Sequence, residues 1–354
     1  SQFIGGICGY ITGNTIYNCQ NGSSTYQSHH VASYGENTGG ITGGWWDGKV
    51  ESCTNYAYVE GPVTTATGDP TGVGGISGSA GGSYGGYTIY NCTNYADVKG
   101  RYSVGGIVGY IGGGGIECCY NNGYVWVYGS AVGGIAGYSA ASMYDCTNYG
   151  DVETKSGDNL GDKVGGIVAH GSNISTLYNC NNYGSISSQG AQAGGIVGYG
   201  YKIGDMDDCD NSASVSAFYG YVGGIAGKAE SCSIYDCDND SGGSVYGDNY
   251  SYYNGGIVGY AYSTNVTYSY NSGSVSTSGY TTGGIVGYIY NGTIAGCRNS
   301  ASITGSGSTV GGIAGSMSRS TITHHSGTTS SNSGSVTSSG SNVGGIAGYA
   351  SNSS

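Results

Sequence analysis

The stretch "CTNYADVKGRYSVGGIVGY", residues 92–110, decides how the chain is read. A glycine pair beside a cysteine and an asparagine fits a phosphate loop, a metal site or a redox centre. It also fits a structural unit that returns because it stacks on copies of itself. The phrase Gly-Gly-Ile begins at Gly5, Gly39, Gly74, Gly105, Gly133, Gly165, Gly194, Gly223, Gly255, Gly283, Gly311 and Gly344, 28 to 35 residues apart. Self-similarity at that period is the signature of stacked repeats. The recurring pair lacks the lysine of a phosphate-binding loop, so it reads as turn and close contact.

A second phrase, Cys-x-Asn-x-(Gly/Ala)-x-(Val/Ile), falls between successive glycine pairs. Its asparagine recurs at Asn21, Asn55, Asn94, Asn121, Asn148, Asn182, Asn211, Asn239, Asn271, Asn299 and Asn332. The cysteine two residues earlier stands at Cys19, Cys53, Cys92, Cys119, Cys146, Cys180, Cys209, Cys237 and Cys297, with serine at Ser269 and Ser330. Each period offers three strand-length segments, "GGIVGY", "TIYNC"-like and "GSVS"-like, too broken by glycine to be helical. The pattern predicts an all-β, single-domain β-solenoid of about eleven stacked rungs, roughly three short strands per rung. It forms one continuous array over 1–354, longer and more irregular over 1–104, regular over 105–354. Rungs at ~4.8 Å make a column roughly 50 Å long.

These phrases resemble the GLUG repeat, a short glycine-rich module found in tandem in bacterial surface proteins, including adhesins and some surface peptidases. The resemblance covers the whole chain through "GGIVGY" and "CxNxGxV". It implies a secreted or cell-surface setting and a structural or binding role.

Composition narrows the function classes. Gly 75, Tyr 37, Pro 2 and 8% charged residues describe a chain of glycine, hydroxyls, amides and tyrosine. A net charge of -12 with nine Lys+Arg argues against nucleic acid and gives no polybasic handle for a membrane. No run reaches the ~18 apolar residues of a membrane span. The chain starts at Ser1 without a basic-plus-apolar leader, so a signal peptide is expected to be removed or to lie outside it. Sequons at Asn91, Asn173, Asn249, Asn265, Asn291 and Asn352 permit N-glycosylation on a eukaryotic secretory route. An extracellular location follows as the expectation.

Stacking turns positions into columns. The asparagine column predicts a ladder of amides, each donating to the next. The cysteine column lacks the spacing of a zinc site and reads as a small buried apolar row replaceable by serine. Isolated disulfides at Cys8, Cys118 and Cys232 stay open. Ile107 and Val108, and their counterparts in other rungs, are neighbours on one strand, which predicts a strand apolar on both sides and covered outside by another layer, a subunit or a glycan. Tyrosines before the cysteine (Tyr90, Tyr144, Tyr178, Tyr235) and after it (Tyr56, Tyr95, Tyr149, Tyr183) form rows that stabilise a ladder or offer flat faces to sugars.

Catalytic chemistry has little support. His29, His30, His170, His324 and His325 show no recurring pairing with a nucleophile. No cofactor is required. Asp208, Asp210, Asp236 and Asp238 fall on two adjacent rungs and would repel unless solvated or bridged by a structural Ca²⁺. The array begins and ends inside a rung without a cap, which predicts either an excerpt of a longer array or rungs continuing from one molecule to the next. The expected function is a secreted structural protein stacking head-to-tail on itself into glycosylated filaments, without catalysis. The alternative is a stalk or carbohydrate-binding module of a surface adhesin.

Overall fold

The computed structural model describes residues 2–25, 29–33, 37–62, 72–81, 87–155 and 162–354. Their regular structure is entirely strand, stacked rung on rung in parallel. One short antiparallel pair, Thr321–His325 with Thr328–Thr329, decorates the eleventh rung. Insertions expected to make 1–104 irregular fall at 26–28, 34–36, 63–71 and 82–86, outside the described residues.

One rung shows the plan. Its strands are Ser103–Gly105, Val108–Ile111, Gly115–Glu117, Tyr120–Asn121 and Val125–Val127. The three expected segments are present, but two of them bend, so this rung carries five strands. "GGIVGY" bends at Gly106–Ile107, and "TIYNC" bends just before its cysteine. In two rungs the fifth strand instead runs straight into the first strand of the next, over Val215–Gly223 and Val245–Gly255.

The second bend has a local cause. The residue before the cysteine column is left-handed in rung after rung: Asn18, Ser52, Asn91, Cys118, Asp145, Asn179, Asp208, Asp236 and Tyr268, with φ between 49° and 56°. That region penalises most side chains, and asparagine and aspartate tolerate it best. Another left-handed column follows the second strand, at Asp47, Asn173, Lys202, Ser231, Ser263, Asn291, Arg319 and Asn352. These two corners fold the rung around its interior.

The interior holds two parallel apolar columns. One contains Ile107, Val108, Ile111, Ile116 and Cys119 with their counterparts. The other is a valine column, Val98, Val104, Val125, Val127 and Val132 among them. The expectation of a strand apolar on both faces is corrected here. Ile107 lies in the bend, where its N–H and that of Val108 both donate to the Ile135 carbonyl, at 3.0 and 2.9 Å. The chain therefore turns between the two residues, and both side chains enter the same core.

The outer layer expected over the second strand is the chain's own first strand. An atom placed as Cβ on Gly109 would lie 2.2 Å from the Val73 nitrogen, so the backbones meet directly. A Cβ on Gly106 would fall 2.1 Å from the Gly134 carbonyl oxygen and 2.3 Å from Asn121 Cγ. Neither glycine can carry a side chain without moving backbone. Gly106→Ala should cost about 3 kcal/mol by overpacking, read as a lowered denaturation midpoint. Gly112→Ala, whose added Cβ meets nothing nearer than 3.7 Å, should stay within about 0.5 kcal/mol of the parent.

Candidate functional site

The asparagine column forms one uninterrupted ladder. Nδ2 of each residue donates to Oδ1 of the next, from Asn21 through Asn332, at 2.7 to 3.2 Å. The second N–H of the same amide donates to its own rung: Asn121 to Gly123, Asn148 to Gly150 and Asn182 to Gly184, at 2.7 to 2.8 Å. Both donors and the oxygen are thereby used, although the side chains from Asn55 to Asn271 are fully buried. The ladder lies against the second glycine of each pair, which leaves the amide its space. Asn148→Ala would strand Asn182 Oδ1 and the Gly150 carbonyl. We expect a loss of about 3 kcal/mol and faster amide exchange confined to adjoining rungs.

The cysteine column is structural chemistry of the same kind. All twelve cysteines are free thiols, which closes the open question of bridges at Cys8, Cys118 and Cys232. Cys92, Cys119 and Cys146 each donate Sγ–H to the carbonyl two residues back, at 3.3 Å. Ser269 makes the same bond to Thr267 at 3.2 Å, so serine replaces cysteine by keeping its donor. Cys232 shares a second such column with Thr264 and Ser320. Burial pushes the Cys297 thiol up to about 12 and that of Cys232 up to about 11, so both stay protonated.

The four aspartates divide into two roles. Asp208 and Asp236 occupy left-handed corners and are exposed. Asp210 and Asp238 are half-buried and accept backbone N–H groups of the following rung: Asp238 N donates to Asp210 Oδ1 at 3.1 Å, and Tyr270 N to Asp238 Oδ1 at 2.7 Å. Asn181 does the same in the preceding rung, accepting from Asp210 N at 3.1 Å. Where these carboxylates take the N–H, the fourth-strand sheet thins to single bridges at Asn211 and Asn239.

Burial, aided by the neighbouring carboxylates, pushes Asp238 up to about 7 against the Tyr270 N–H, which pulls the other way. Burial alone lifts Asp162 to about 7, eased by Lys163. A carboxyl raised on folding holds its proton more tightly in the folded state, so stability falls as pH rises from about 4 to about 7. Asp238→Asn keeps the acceptor, as Asn181 does, and removes the charge. It should leave the melting temperature unchanged near pH 4 and raise it by roughly 2 °C at pH 8.

Of the sequon asparagines, Asn91, Asn173, Asn249, Asn265, Asn291 and Asn352 are exposed, whereas Asn21 and Asn239 belong to the ladder. Asn173, Asn291 and Asn352 share one left-handed corner column. The tyrosine rows lie on the surface rather than in the core. Tyr56 stacks on Tyr95 at 4.9 Å and 3°, and Tyr149 on Tyr183 at 5.2 Å and 11°. Within each of these pairs the two rings turn their faces to each other. His170 sits in another such row between Tyr138 and Tyr199, and burial lowers it to about 4, which keeps it neutral.

One grouping escaped the sequence. Glu117, Cys118 and Asp145 bring ligand atoms within 4.8 Å of one another at a corner, although Asp145 belongs to the next rung. Among the described residues they are the one set of three possible metal ligands in mutual reach, and Asp208, Asp210, Asp236 and Asp238 do not form such a set. Asp145 Oδ1 is also held by Asn179 Nδ2 at 2.6 Å. Only the rung register could have revealed this grouping, by placing the corner of one rung over the next.

Fold and columns together define a parallel β-solenoid with an internal asparagine ladder. No family model matches the chain, and no curated protein or solved structure does either.

Proposed function

We propose that the chain is an extracellular structural protein whose rungs stack head-to-tail between copies into filaments, clothed by glycans on its exposed asparagines. The observation that carries this reading is the ladder. All ten side-chain bonds run in one direction and keep one register, so any rung is a template for the next. Parallel strands add to an open edge by the same main-chain bonds used inside the array.

The outermost described rungs show what such an addition would cover. Ile7 and Ile346 are 47% and 44% exposed, whereas Ile107 and Ile196 of the same column are fully buried. A further rung, from the chain itself or from another copy, would seal them at about 25 cal/mol per Å² of apolar surface. The low charge, 8% of residues, leaves little repulsion between copies. The proposal assigns no catalysis and no cofactor.

Electron microscopy of undenatured native material tests the proposal. Filaments with an axial repeat of about 50 Å are expected from eleven rungs. Discrete rods of about that length that bind oligosaccharide would overturn it in favour of an adhesin module.

A further inference from the structure

We propose that the stacked, nearly parallel tyrosine pairs on the solenoid surface are sites of oxidative cross-linking, in which a dityrosine bond staples one rung to the next. This inference rests on the fold and does not depend on the proposed function. The pair that carries it furthest is Tyr149–Tyr183. Both rings are half-exposed, at 52% and 51%, and they stack at 5.2 Å between centroids with 11° between planes. Tyr252–Tyr280 repeats the arrangement, at 5.7 Å and 10°, with 49% and 56% exposure. Tyr262–Tyr290 follows at 5.5 Å and 5°.

Three physical features favour coupling at these pairs. The rung register stacks the two rings face to face and nearly parallel, which keeps the two phenols beside each other. Exposure lets an oxidant reach both phenols. The terminal torsion of a tyrosine side chain is soft, so two rings held at one edge can tip together there. The ladder beneath fixes the two backbones, since Asn148 and Asn182, one residue before each tyrosine, are bonded at 2.8 Å. Coupling is then intramolecular, with the high effective concentration that a fixed geometry confers.

The chemistry balances with a peroxide as oxidant, delivered through a haem peroxidase. Each phenol loses one electron and one proton to become a phenoxyl radical. The two radicals join through a new carbon–carbon bond between ortho positions. The two ortho hydrogens shift to the oxygens as the rings regain aromaticity. The peroxide takes up the two electrons and two protons and leaves as two molecules of water.

The test uses the full chain, mixed in equal amounts from natural-abundance and ¹⁵N-labelled preparations, and treated with peroxidase and hydrogen peroxide. Peptide mass spectrometry then reads each cross-link and the isotope of its two halves. The proposal expects a Tyr149–Tyr183 cross-linked peptide whose halves carry the same label, and blue dityrosine fluorescence well above that of the urea-unfolded chain at equal concentration. Tyr183→Phe preserves the ring stack; it should abolish that peptide and leave the Tyr252–Tyr280 cross-link in place. Mixed-label cross-links at the statistical frequency would overturn the proposal, as would a yield no greater than that of the unfolded chain or no dityrosine at all.

Discussion

A buried primary amide has two donors and an acceptor that must all be paired in the absence of water. The asparagine column meets that demand with translation alone. If each rung repeats the last at the strand spacing, one N–H reaches the oxygen above and the other reaches a carbonyl of its own turn. The condition holds only if rungs neither slip nor tilt, so the amide fixes the register of everything around it. The second glycine of each pair is bound by the same constraint, because an alanine there would occupy the amide's space. Side chains that merely fill volume can exchange along a column, as Val108 and Ala136 show.

Much of this was legible from the repeat. Eleven asparagines at one phase of the period could only superpose in a stack, and a donor–acceptor side chain superposed on itself makes a ladder. Serine at 269 and 330 showed that the cysteine position wanted a small side chain, and the shared bond to a carbonyl explains why serine suffices. The repeat could not show where the chain bends. A strand and a bend written in the same glycine-rich letters differ only in dihedral angles, so Ile107 and Val108 read as opposite faces when they share one core.

The corner columns give two of the aspartates a backbone role as well. Asp208 and Asp236 look like ligands when only charge is considered. Beside Asn18, Asn91, Asp145 and Asn179 they are members of a set chosen for a left-handed backbone. Column membership was the signal, available in principle from the residue before each cysteine. The direction of the tyrosine rings was not available at all, because sequence spacing places the Cα atoms and says nothing about which face of a ring meets its neighbour.

A row of side-chain amides pointing the same way has an electrical consequence. A peptide group carries a dipole of about 3.5 D, and aligned groups add as they do along a helix. The eleven asparagine amides therefore amount to a permanently polarised thread of the order of 40 D through the protein interior. At one end it presents a carbonyl oxygen and at the other an N–H. The molecule is in this sense an electret, and two of them brought together with like ends facing would set oxygen against oxygen.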